Sequence, residues 1–178
     1  MHVRNREISP TYDVTMNIEI LQANYFNKDH AQAIGVLLNA YATDPMGGGK
    51  PLPAEIVNNI ANKLSTIDYA VSVLGFVEGQ PAGLVNCFEG FSTFLSAPLL
   101  NIHDIFVLKK YRGIGLSQIL LKKVEEIAIN KGCCKLTLEV LSENIVAQSS
   151  YKKFGFAGYE LDPEVGKALF WQKPLNVT

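Results

Sequence analysis

Two groups of residues in this chain have the types and spacing for chemistry. In the first, Arg112-Gly113-Ile114-Gly115-Leu116-Ser117 follows an apolar run ending at Val107-Leu108 and leads straight into an amphipathic helix. A glycine-spaced turn at a helix N-terminus gathers unpaired backbone N–H groups and the positive end of the helix dipole at one place, where a phosphate is a natural ligand. The second group is Asn144, Ala147 and Tyr151, followed by Gly155-Phe156. At i, i+3 and i+7 its first three members share one helix face. Taken singly, Asn144 reads as a helix cap and Tyr151 as a core tyrosine. His103, Asp104 and Glu89, in the strand-like runs before the turn, are among the side chains able to hold or move a proton.

Other readings of the glycines fail on spacing. A dinucleotide fold needs a third glycine where Gln118 stands, and its motif follows the first strand, whereas several strands precede this turn. Gly47-Gly48-Gly49-Lys50 resembles a nucleotide-binding P-loop only superficially, because Asp44 and Pro51 occupy the places of its first glycine and its hydroxyl residue. Cys133-Cys134 and Cys87 lack the spacing of a zinc or redox motif, so neither a metal nor a cysteine nucleophile is expected. Three unpaired thiols fit a reducing compartment, hence a cytoplasmic protein.

The elements that must position these residues follow from periodicity. Alternation predicts a first strand over 16–22, after a loosely ordered tail over 1–14. Ala33, Ile34, Val36, Leu37 and Ala40 predict a helix beginning near Asn27 or Asp29 and ending before Asp44-Pro45. The glycine- and proline-rich stretch Asp44–Pro53 predicts a loop, and a second helix follows over Ala54–Leu64. Tyr69–Val77 and Ala82–Phe94 read as a hairpin about Glu78-Gly79-Gln80-Pro81, and Asn101–Leu108 as a fourth strand. Then come a helix over Gly115–Lys131, a strand over Lys135–Leu141, a helix over Asn144–Phe154, and strands over Phe156–Leu161 and Ala168–Gln172. Strands and helices sharing one sheet imply an α/β or α+β fold, here a single domain over 15–178.

Composition narrows the partners. With 178 residues, 48% hydrophobic and 19% charged, the chain is ordinary in make-up, and its formal charge of −1 argues against nucleic acid. No apolar run reaches the roughly 20 residues of a membrane helix. Phe88, Phe91, Phe94 and Leu95 offer either a homodimer surface or plain core.

Together the two groups resemble a known family. Arg112-x-x-Gly115-x-Ser117 is similar to the acyl-CoA signature Q/R-x-x-G-x-G/A of the GNAT N-acetyltransferase superfamily, with Ser117 in place of the usual Gly or Ala. Asn144-x-x-Ala147-x-x-x-Tyr151-x-x-x-Gly155-Phe156 resembles that family's later N-x-x-A-x-x-x-Y-x-x-x-G-F element. The specific resemblance covers about residues 99 to 157.

The resemblance implies a mixed, strongly twisted sheet whose central parallel strands splay apart to admit acetyl-CoA. The pyrophosphate would rest on amides of Arg112, Gly113, Ile114, Gly115, Leu116 and Ser117, and the acetyl–pantetheine arm would pair with backbone near Val107 and Leu108. Asn144 would hold the cofactor or the start of its helix. Tyr151 would act as general acid toward the departing thiolate, and a phenol, near pKa 10 ordinarily, is protonated for that task. His103 is the expected general base, on a strand face shared with Ile105 and Val107, while Asp104 is expected on the opposite face as a structural brace. Glu89 is a second base or an anchor for a cationic acceptor. The implied activity is direct acetyl transfer to a primary amine, carried by a small molecule or by a protein or peptide. The alternative is a CoA-binding sensor module without catalysis.

Overall fold

The computed structural model describes residues 16–158 and 169–175. The expected tail over 1–14 lies outside them. A five-stranded sheet in the order β1-β2-β3-β4-β5 is built from β1 (Ile18–Gln22), β2 (Ala70–Val77), β3 (Gln80–Ser92), β4 (Ala97–Val107) and β5 (Leu136–Leu138). The first three pairings are antiparallel and β4 with β5 is parallel. Helices α1 (Lys28–Thr43) and α2 (Ala54–Leu64) cover one face. Helices α3 (Leu116–Asn130) and α4 (Ile145–Phe154) cover the other.

Each face has its own core. Leu74 and Leu84 meet Ala33, Ile34 and Leu37 of α1 and Ala61 and Leu64 of α2. Val73, Val85, Leu100 and Ile102 meet Leu116, Leu120, Leu121 and Val124 of α3. Strands buried on both faces lose the polar–apolar alternation, which explains the near-continuous apolar sequence of β2 and β3. Gly35 lets α1 lie against α2, since a Cβ there would run into the Val57 carbonyl oxygen.

One irregularity in β4 matters most. Asn86 of β3 pairs with Asp104 and Cys87 with Ile102, so His103 is an extra residue bulged out of β4. The parallel ladder to β5 ends at that point: its last pair is Ile102 with Leu138, while β4 continues to Val107. A bulge bends and twists the strand that carries it. β4 therefore swings away from β5, and the two open as a V.

This shortens one expected strand. The predicted strand over Lys135–Leu141 survives only as Leu136–Leu138, because residues beyond it lose their partner. Within the stretch read as a loop, Pro45–Gly47 forms a short 3-10 turn capped by Asp44. Of the expected terminal strands, residues 156–158 and 169–172 are described and carry no strand, and the remainder lie outside the described residues. No described helix is long and apolar enough to cross a membrane.

Candidate active site

The turn after β4 has the form its sequence predicts. Lys109–Tyr111 make a 3-10 turn, Arg112 is extended, and Gly113 and Gly115 take φ of 87° and 82°, a left-handed region that favours glycine. α3 begins at Leu116, whose side chain is buried, so only its backbone remains for a ligand. Ser117 turns its hydroxyl to Ser150 of α4, at 3.3 Å between oxygens, and Gln118 Nε2 donates to the same Ser150 Oγ at 2.8 Å. These bonds fix the start of α3 against α4.

Arg112 does more than begin the turn. Its Nε donates to the Val107 carbonyl at 2.9 Å, and its Nη2 meets Asp44 Oδ2 at 2.8 Å. The Arg112 guanidinium holds the Asp44 carboxyl below its ordinary range, with help from the Met46 amide. Val107 turns its carbonyl away from β3, and in a strand the N–H of the same residue points the same way. The Val107 N–H therefore faces the opening of the V. The Leu108 N–H does not, since it donates to the Ala82 carbonyl at 2.9 Å. Of the two backbone positions expected to meet the acyl arm, the geometry leaves Val107.

The bulge overturns two expectations about β4. Ile105 and Val107 pack toward α3, whereas His103 and Asp104 both line a cavity under α1 and α2. His103 thus shares no face with Val107, and Asp104 is its neighbour rather than its opposite. The two face one side because the inserted residue breaks the period of two. The His103 ring stands edge-on to Phe88, with centroids 5.5 Å apart.

Asp104 ends a chain of hydrogen bonds that crosses three strands at one register, Ser72 opposite Asn86 and Asn86 opposite Asp104. Asn86 Nδ2 donates to Asp104 Oδ2 at 3.0 Å, and Ser72 Oγ donates to Asn86 Oδ1 at 2.7 Å. Ser72 has one hydroxyl proton, already given to Asn86, so the Tyr25 hydroxyl 3.0 Å away must be the donor in that contact. The chain runs one way, Tyr25 to Ser72 to Asn86 to Asp104, and fixes one carboxylate oxygen.

The cavity holds about 380 Å³ and is walled by Leu38, Ala42, Leu52, Ile56, Ile60 and Leu64, with Tyr41 and Gly47 at the loop side. The 44–53 loop is tied back to α1: Asn39 Oδ1 accepts from the Leu52 amide at 2.9 Å, and the Lys50 amide donates to the Ala42 carbonyl. Gly47 is needed for close approach, because a Cβ there would strike the Tyr41 carbonyl oxygen. A larger cavity of about 570 Å³ lies by the start of α1 and the β2–β3 turn, and contains none of the expected site residues.

Tyr151 lies across the V from this cavity. Burial, with a smaller contribution from Tyr41, pushes its phenol up to about 12. Burial likewise raises Tyr41, followed by the Asp104 and then the Asp44 carboxylates. Tyr151 packs with the α3 core and Tyr41 belongs to α1, yet Tyr151 feels Tyr41 from the other face of the sheet, where β4 has no β5 partner beyond Ile102.

The remaining predicted residues lie elsewhere. Asn144 caps α4, accepting from the Ala147 amide at 3.2 Å. Glu89 points to the α3 side and pairs with Lys131 at 2.8 Å, so it does not join His103. Phe88 turns into the cavity, while Phe91, Phe94 and Leu95 are exposed near the β3–β4 connection, so the four do not form one patch. Sequence reasoning missed Tyr41, Ser72 and Asn86. Two of these carried a signal: a lone serine and a lone asparagine in otherwise apolar strands must find buried partners.

A glycine turn at a helix N-terminus, beside two parallel strands that splay over an open backbone edge, defines the acetyltransferase fold class. Residues 38–156 match the Acetyltransferase (GNAT) family. The chain belongs to that family. It is 44% identical over 83 residues to the thialysine N-epsilon-acetyltransferase of Bos taurus, covering 43% of this chain and 48% of that protein. It is 28% identical over 109 residues to the type 1 aminoglycoside N(6')-acetyltransferase of Salmonella typhimurium, covering 60% and 71%. The match spans about half the length, or less, of the thialysine relatives. In fold, it is similar to the aminoglycoside N-acetyltransferase AAC(6')-Iy in complex with CoA, with a TM-score of 0.71 at 20% identity over 90% of this chain and 97% of that one.

Proposed function

We propose that this protein is an acetyl-CoA-dependent N-acetyltransferase that moves the acetyl group directly to a primary amine. The observation that carries the reading is the V itself: β4 loses β5 at Ile102 but runs on to Val107 and into the glycine turn, with an acid-capable phenol on one side and a carboxylate-floored cavity on the other. The relatives named for aminoglycoside and thialysine acetylation point to the same reaction.

Acetyl-CoA would bind with its pyrophosphate on the amides of residues 112–117 and its thioester beside Val107. Acetyl-CoA supplies an activated carbonyl. The Val107 N–H is placed to stabilise the oxyanion as nitrogen attacks, and fixed backbone donors of this kind are worth roughly 3–4 kcal/mol in the transition state. His103, at the cavity wall, takes the ammonium proton directly or through water. Tyr151 acts mainly as a hydrogen-bond donor to the leaving sulfur. A phenol at about 12 facing a thiol near 8.5 would transfer its proton uphill by on the order of 4–5 kcal/mol, so protonation of the thiolate is completed by solvent. Raising the phenol keeps it neutral and able to donate.

The test is release of free CoA thiol against a panel of amines, with acetyl-CoA binding followed by calorimetry. Tyr151→Phe should lower kcat about 10- to 100-fold and change acetyl-CoA affinity less than threefold. An unchanged kcat removes the donor role, and tight acetyl-CoA binding without turnover on any amine favours the sensor module instead.

A further inference from the structure

The acceptor is the part of the reaction that the family leaves open, and the cavity beneath α1 and α2 restricts it. Its polar inventory is short. Apart from Asp104, His103 and Tyr41, the side chains lining it are apolar except Asn86, whose amide is already spent on Ser72 and Asp104. Asn86 occupies Asp104 Oδ2 and leaves Oδ1 for a ligand. About 380 Å³ is near the low end of small-molecule sites, which run from roughly 300 to 1,000 Å³.

Resting on the transferase reading above, we infer that the acceptor is a small primary monoamine with an apolar body, alkyl or arylalkyl, whose ammonium docks on Asp104 and whose body lies against Leu52, Ile56, Ile60 and Phe88. A cation in an otherwise apolar slot needs one carboxylate, and the slot supplies one. Beyond the Tyr41 hydroxyl and the His103 ring, a second ammonium or a set of sugar hydroxyls would find no further side-chain partner and no second carboxylate, and each unpaired polar group buried costs roughly 1–3 kcal/mol. The chemistry balances as follows: the ammonium loses one proton, the amine nitrogen bonds to the acetyl carbon, the carbon–sulfur bond breaks with its electron pair leaving on sulfur, and the nitrogen sheds a second proton whose equivalent the thiolate takes up. The products are the N-acetylamine, free CoA thiol and one released proton.

Asp104 is the selecting group, and the Tyr25–Ser72–Asn86 chain positions it. That chain begins at Tyr25, just before α1, and is made wholly of protein groups, so the aim of the carboxylate is fixed independently of any ligand.

The experiment compares kcat/KM for hexylamine and phenethylamine with that for free lysine and for a neamine-type aminoglycoside at saturating acetyl-CoA. Thermal-shift binding of the same four compounds is measured without acetyl-CoA. The expected result is a preference of at least 30-fold for the two apolar amines, and their loss of affinity by at least tenfold in Asp104→Asn. A higher kcat/KM for lysine or the aminoglycoside overturns the inference while leaving the transferase standing. Binding of the apolar amines that depends on Asp104, with no turnover of any compound, upholds the pocket and overturns the transferase. No binding and no turnover of the apolar amines overturns the inference. Leu52→Arg, at the cavity's rim loop, serves as a second variant and should abolish the preference without touching acetyl-CoA affinity.

Discussion

Removing the Ser72 hydroxyl tests the buried chain that aims Asp104. Ser72 and Asn86 are 1% and 3% exposed, so no water is at hand to replace a lost bond. In Ser72→Ala the Asn86 Oδ1 loses its donor and the Tyr25 hydroxyl its acceptor. Tyr25 is half-buried and can turn to solvent, whereas Asn86 cannot. Leaving one buried acceptor unpaired costs about 1–3 kcal/mol. For a chain of this size each kcal/mol lowers Tm by roughly 2–4 °C, so a fall of about 2–12 °C is expected. Asn86→Ala should cost at least as much, because it also strips Asp104 of its donor. In the double variant the loss at Asn86 Oδ1 has already been taken, and the two costs should fall short of their sum by about 1 kcal/mol or more. Urea unfolding of the four proteins gives this coupling, and amine KM in the same proteins gives its functional counterpart, expected to rise at least fivefold in each single variant. Additivity within about 0.5 kcal/mol, with amine KM unchanged, would refute the chain as a unit.

Gly47→Ala should push the 44–53 loop off the Tyr41 carbonyl and raise amine KM several-fold while acetyl-CoA affinity stays within twofold; equal KM would free the loop of any role in shaping the cavity. Arg112→Gln removes the partner of Asp44. That carboxyl is depressed in the folded protein, so its contribution is present above the ordinary value near 3.8 and is lost as pH falls through the lowered one. The Tm gap between wild type and Arg112→Gln should accordingly be flat from pH 8 to 5 and close only below about pH 4; an exposed pair is worth at most about 1 kcal/mol, so the gap is a few degrees. Thiol titration of the native protein should find Cys134 fast and Cys133 slower. Cys87, buried and pushed up to about 12, should react only on unfolding.

Much of this was legible in the sequence. The order of elements, the glycine turn and the shared face of Asn144, Ala147 and Tyr151 follow from local rules, because caps, turns and helical periodicity are written within a few residues. The bulge is not. His103 and Asp104 sit in a run that reads as a plain strand, and a single inserted residue is visible only against the partner strand. The end of β5 is hidden for the same reason, since apolar residues continue to Leu141 after the ladder stops at Leu138. Glu89 was ambiguous because the same strand period offers it either face, and Lys131 of another element claims it.

The bulge also decides which backbone groups of β4 face the opening of the V. Before it, Leu100 donates its N–H to the Lys135 carbonyl, so even-numbered residues of β4 turn their backbone toward β5. After it, Leu108 donates to Ala82 of β3, so the even-numbered residues turn the other way and the odd-numbered ones face the opening. Without the extra residue, the parity set at Leu100 would carry through to Leu108, and the Val107 N–H would be spent on β3. The same insertion ends the pairing with β5 and brings His103 and Asp104 to one cavity. The splay, the free Val107 N–H proposed as oxyanion donor and the cavity proposed for the acceptor therefore share one cause, a geometry that side-chain substitution at His103 alone should leave intact. A change of chemistry at that position can be read as chemistry, while deletion of the residue would reverse the backbone of the whole upper strand.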